Sequence, residues 1–118
     1  MERTDDVTEV SRLQDVAALM WRTAAVHRAR AARLAAESEP GGEFRARIER
    51  GIAKVAAENA MAYRELADAA EARHSATDRP ATSPEWKAAM DRSFAALRRA
   101  EAHHHRAAAV PGQDEPRR

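Results

Sequence analysis

Apolar positions recur at alternating spacings of three and four along most of this 118-residue chain. Val10, Leu13, Ala17, Met20, Ala24, His27, Ala31 and Leu34 keep that alternation without a fault, which is the a/d pattern of a helix zipped along one side. Ile48, Ile52, Val55, Asn59, Ala62, Leu66 and Ala69 repeat it. Trp86, Met90, Ser93, Leu97 and Ala100 continue it, with Phe94 flanking. Two strong breaks, "ESEPGGEF" and "HSATDRPATSPEW", separate these runs, since proline and glycine cannot continue a helix cheaply. The pattern therefore predicts helices over about 6–38, 43–74 and 83–108, followed by a flexible tail, 109–118. Asp6 followed by Glu9 resembles a capping box. Ser83-Pro84-Glu85 sets a hydroxyl at the N-cap, proline at N1 and an acid in the first turn.

Short connections force successive helices to run antiparallel. The expected fold is all-α: a single domain over 1–108, built as an elongated up-down-up three-helix bundle that could dimerise into a larger one. A helix of ~30 residues spans ~45 Å, which makes the body a rod. Val10, Ala17, Ala24 and Ala31 form a row of small residues, so the partner of the first helix should approach closely. Gly51, inside the second helix, is expected to permit close approach or a kink.

The first helix carries a second apolar stripe. Leu19 and Val26 lie seven apart off the main seam, with Val16 and Trp21 on the flanks and Arg12 and Arg33 closing the ends. A helix apolar on two sides is usually contacted from two sides. Either the third helix covers this stripe, or it is a self-association surface, which implies a two-fold dimer.

Composition narrows the function. Alanine, arginine and glutamate dominate, aromatics are 4% of the chain, and 20 Lys and Arg face 19 Asp and Glu, for a net charge of +1. A strong non-specific nucleic-acid binder shows a clear basic excess, and this chain does not. Without cysteine there is no disulfide, no thiolate metal site and no thiol nucleophile. "MERTDDVTEV" has no apolar leader core and no run reaches the length of a membrane span, so a soluble, cytoplasmic protein without membrane partners is expected.

Candidate chemistry is sparse. His103, His104 and His105 are adjacent, so on a helix they point about 100° apart and cannot converge on one ion. Spacings of three or four bring only Glu101 towards His104 or His105, and two ligands fall short of the three or four a zinc site uses. Glu71/His74 and Glu101/His104 each have the Glu-x-x-His spacing of di-iron bundles, but both pairs lie towards helix C-termini. His27 and Asn59 occupy seam positions and are expected to be a buried polar pair, joined by a hydrogen bond. Arg28, Arg30 and Arg33 end the first helix while Arg45 and Arg47 begin the second, so antiparallel packing would merge them into one basic pole. Glycine-rich phosphate loops, nucleophile elbows and zinc-protease signatures are missing.

No cofactor and no catalytic residue is expected. The leading expectation is a non-enzymatic bundle acting through protein contacts, as a homodimer or adaptor, through Val16, Leu19, Trp21 and Val26. A nucleic-acid-associated regulator using the arginine-rich faces is the second reading, and a metal-binding bundle using the Glu-x-x-His pairs is the third.

Overall fold

A computed structural model describes residues 2–37 and 39–111, with side chains from Thr8 onward. Three helices run in succession: α1 over Glu2–Ala36, α2 over Gly42–Ala76 and α3 over Pro84–Ala108. The described residues contain no strand, and none of these helices is long and apolar enough to cross a membrane. The protein is an all-α three-helix bundle, elongated to 64 × 25 × 23 Å.

Helix starts follow local chemistry in two of three cases. Ser83 caps α3, its Oγ accepting the Trp86 N–H at 3.1 Å, and Pro84 opens the first turn. At the start of α2, Gly41 has φ 83°, a left-handed conformation that favours glycine. Gly42 then slides under α1, where a Cβ would stand only 2.9 Å from the Leu34 carbonyl oxygen. Asp6 does not cap α1. The helix already begins at Glu2, so Asp6 lies within it, and its side chain falls outside the described ones. Glu9 instead reaches Arg73 of α2 at 3.5 Å.

The core is built from alanine. Ala17, Ala24 and Ala31 on α1 and Ala46, Ala53, Ala60 and Ala67 on α2 are buried, each row stepping by seven. Gly42 beneath Leu34 and Glu49 beside His27 set an antiparallel register in which the two rows stand level. Another row of α2, Ala62, Ala69 and Ala76, meets Ala89, Ser93, Ala96, Ala100 and Ala107 of α3. Arg99–Glu65 at 3.0 Å and His103–Glu58 at 2.8 Å fix that register. Each alanine buries little area, but methyl-sized side chains let helix axes approach towards the short end of the usual ~8–10 Å, and the backbones then supply dispersion contact.

Because both alanine rows lie on α2, that helix is the middle of the assembly. It packs on α1 and on α3, whereas no Cα of α1 comes within 8 Å of one in α3 among the described residues. At 100° per residue the two rows stand roughly 140° apart around α2, so the bundle is open along one side.

Several expectations change as a result. The third helix does not cover the Leu19/Val26 stripe: these side chains are 51% and 53% exposed. Trp21, two residues beyond Leu19 and so about 200° further round α1, is half-buried on the opposite edge and does not share the stripe. On α3 the close contact uses Ala89 and Ala96 in place of Met90 and Leu97, which rotates Leu97 and Phe94 outward. Ile48 belongs to the row that receives α3, yet α3 is 25 residues long against 35 for α2. Val110, just past its end, lies against Gly51, and among the described residues Ile48 and Phe44 are exposed beyond it. A Cβ on Gly51 would meet the Val110 side chain at 3.7 Å, an ordinary contact, so no close approach requires glycine there. Val110 is itself buried, which makes the end of the bundle later than Ala108; residues 112–118 of the expected tail lie outside the described residues.

Candidate interaction surface

Among the described residues, six large apolar side chains are exposed: Leu19 and Val26 on α1, Phe44 and Ile48 on α2, Phe94 and Leu97 on α3. Helical phase brings five of them to the same side. Leu19 and Val26, with half-buried Val16 and Thr23, share the flank of α1 that carries His27 and Arg30. Both of those side chains reach Glu49, which lies on the flank of α2 that also holds Ile48 and Ile52. Tyr63 continues this flank of α2 and meets the His104 ring edge-on at 6.1 Å. His104 in turn lies on the α3 flank that displays Leu97 and Phe94. Leu19, Val26, Ile48, Leu97 and Phe94 therefore open together, between α1 and α3 and beyond the end of α3, whereas Phe44, two residues from the buried Ala46, stands on the far side of α2 from α1.

The reverse side is different. Arg28, Arg50 and Lys54 surround a groove floored by Ala31, Ala53 and Ala57. Further along, Asp68 and Glu71 face Arg92 and Arg99. Burial pushes the Asp68 carboxyl up, and the neighbouring carboxylates Glu65 and Glu71 push it the same way.

The five arginines of the expected pole are thus divided. Arg28 lies on the reverse side. Arg30, Arg33 and Arg45 line a groove of about 380 Å³ on the open side, with Leu34, Glu37, Ile48 and Glu49. Arg47 is exposed outside both grooves. Arg45 also lies 3.6 Å from Glu39, and Arg30 lies 3.5 Å from Glu49.

His27 and Asn59 do not pair. His27 Nδ1 is bonded to Glu49 Oε2, whereas Asn59 stands ten residues further along α2, about 15 Å away. Both are half-buried. The His27 hydrogen bond, aided by Arg30 against the effect of burial, holds the Glu49 carboxyl below the usual carboxylate range. The pattern of the sequence singled out neither Glu58 nor Glu49. The usable sign was the Ala46/Ala53/Ala60 row: read as a second seam, it sets Glu49 on the inner edge of α2, across from His27.

The three histidines have three surroundings. His103 turns inward to Glu58 Oε1 at 2.8 Å, and Arg106 Nε donates to the same oxygen at 3.3 Å. Burial pushes the Glu58 carboxyl up, but these two partners outweigh it and hold the group below the usual range. His104 meets Tyr63, and His105 is exposed. Glu71 and His74 belong to the far part of α2, and the register sets His74 about 20 Å along the bundle from His104. Glu101 is exposed on α3. Among the described residues, no three His, Asp or Glu side chains are grouped to hold a metal ion.

No protein-family model, no curated protein and no solved structure matches this chain.

Proposed function

We propose that this protein works by contact: a non-enzymatic, cytoplasmic helical module whose open side takes another protein or a second copy of the chain. One observation carries the reading. Five large apolar side chains, Leu19, Val26, Ile48, Phe94 and Leu97, each more than a third exposed, share one side of the bundle, while the reverse side presents alanine, arginine and carboxylates. Single scattered surface hydrophobics need no explanation, but several large apolar side chains gathered on one side and flanked by charge are what an interaction surface presents. Covering such area returns about 25 cal/mol per Å², which favours association over solvent exposure.

The chain lacks cysteine, which allows a clean test. Leu19→Cys, Phe94→Cys and, on the reverse side, Lys54→Cys are labelled with a membrane-permeant maleimide in the protein's own cells and again as dilute purified protein. Slower labelling in cells at the first two positions, with no change at Lys54→Cys, is the expected result. Equal rates in both settings at all three positions overturn the reading. The self-contact form has its own check: Leu19→Glu with Val26→Glu should convert a dimer to a monomer by light scattering without loss of helicity.

Arg28, Arg50 and Lys54 around the alanine-floored groove favour a second reading, contact with nucleic-acid phosphates. That reading requires binding that weakens steeply with salt, and a gel shift without a salt-sensitive complex removes it.

A further inference from the structure

On the reverse side, α1 and α2 form between them a groove of about 510 Å³ whose charge is all of one sign. Arg28 of α1 and Arg50 and Lys54 of α2 edge it, alanines of both helices form its floor, and no carboxylate lines it. Two other grooves differ. Glu37 and Glu49 stand among Arg30, Arg33 and Arg45, and Asp68 and Glu71 stand among Arg92 and Arg99. Of the three cations on the reverse groove, Arg50 is held by Glu43 at 2.9 Å, whereas Arg28 and Lys54 have no ion-pair partner among the described residues.

From this arrangement we infer that the groove binds a single-chain alkyl carboxylate, its head between Arg28 and Lys54 and its chain along the alanine floor. The site lies across the bundle from the open side, so it goes beyond the contact reading and does not depend on it.

Charge selects the head. Gly42 beneath Leu34 and Glu49 beside His27 set the antiparallel register, which brings Arg28 and Arg50 nearly level on opposite edges of the groove. Lys54 follows Arg50 by about one turn, or ~6 Å. A carboxylate seated there offers two oxygens to the Arg28 fork and lies within reach of the Lys54 ammonium. A cationic head would meet three like charges instead.

The floor selects the tail. In the same register, Ala32 and Ala57 stand roughly 19 Å apart along the bundle, so the groove is a trough rather than a round pocket. Methyl groups offer area but no hydrogen bond, and a flexible alkyl chain needs only area. Nucleic acid would satisfy the same cations and leave that floor unused. None of the lining residues is aromatic, so no base could stack there, and a net charge of +1 adds little further attraction for phosphates.

The test titrates the full chain with dodecanoate, below its micelle threshold, by isothermal titration calorimetry. Acetate supplies the head without the chain, and dodecyltrimethylammonium supplies the chain with the opposite head. Dodecanoate should saturate a single site and bind at least ~10-fold more tightly than either. Arg28→Gln with Lys54→Gln should weaken it ~10-fold or more at unchanged helicity, since both side chains are exposed. Arg47→Gln with Arg98→Gln removes the same charge at exposed positions outside the groove and should change the affinity by less than ~3-fold. Equal binding of dodecanoate and either comparison probe, no saturable binding, or equal effects of the two double changes overturns the inference. Loss of binding on Leu19→Ser with Val26→Ser would put the alkyl chain on the open side and overturn it as well. A short DNA duplex that binds more tightly and displaces dodecanoate would give the groove to phosphates. Phosphatidylglycerol vesicles that bind the protein when free dodecanoate does not would give it to a membrane surface. Either result overturns the inference, while the contact reading is judged separately by cysteine labelling.

Discussion

Gly51 interrupts a helix that otherwise consists of good helix formers. It is half-buried on α2, and the side chain that an alanine would add meets only Val110 Cγ1, at 3.7 Å. That distance is ordinary van der Waals contact and adds a little dispersion. Glycine costs about 1 kcal/mol relative to alanine in a helix interior, chiefly through the backbone freedom it gives up on folding. Gly51→Ala should therefore stabilise the fold by about 1 kcal/mol and raise the Tm by ~3–6 °C for a chain of this size. Urea titration followed by far-UV circular dichroism measures it, and the m-value should stay constant because the buried surface hardly changes. Gly42 is the paired control. Alanine there would set its Cβ 2.9 Å from the Leu34 carbonyl oxygen, a backbone atom that cannot rotate aside. Forcing α1 and α2 apart costs ~1–3 kcal/mol, more than the first turn of a helix can regain from propensity. Two Gly→Ala changes nine residues apart should thus have opposite signs. A destabilised Gly51→Ala, or a neutral Gly42→Ala, would refute the packing described for the α1–α2 turn and for the end of α3.

Three further outcomes are expected. Ala60→Leu, at a site with no exposure, should cost ~1–3 kcal/mol or more in urea titration by wedging α1 off α2, whereas Ala18→Leu on the exposed side should stay within about ±0.5 kcal/mol. Glu58 is held below the usual carboxylate range by His103 and Arg106 despite its burial, so its stabilising contribution is complete above about pH 5 and is lost as pH falls through that range. Urea midpoints of the unmodified chain and Glu58→Gln should consequently differ at neutral pH and converge in acid. Asp68 is shifted upward, so the folded state holds its proton more readily than the unfolded chain and the ionised form opposes folding at neutral pH. Asp68→Asn should raise the urea midpoint at pH 7 and leave it unchanged at low pH.

Much of the fold was legible from period and punctuation. The spacing of Ala17, Ala24 and Ala31 identified the inner edge of α1, and their size announced a close antiparallel neighbour. Ser83-Pro84 marked a helix start because capping is local chemistry, complete within four residues. The candidate surface was legible only in part. Leu19 and Val26 stood out as apolar residues off the seam, but grouping Trp21 with them ignored the 200° that two helical residues subtend. Phe44, Phe94 and Leu97 gave no sign of exposure, since large apolar residues near a seam read as core. Pairing His27 with Asn59 failed because two polar seam positions meet only if the register brings them level, and register was not in the pattern.

What the amino-acid order settled alone was the set of three helices, their antiparallel succession and the use of alanine at the contacts. These follow from periodicity, breakers and side-chain volume, all of which act within a few residues. Which sides stay open was decided by tertiary structure. Two alanine rows stand roughly 140° apart on one helix, so α1 and α3 each settle on α2 and miss one another. A third helix ten residues shorter than the second then leaves Ile48 and Phe44 bare beside the arginines. The angle between contacts and the level at which a helix ends are relations between distant segments, and the period of any single segment does not contain them.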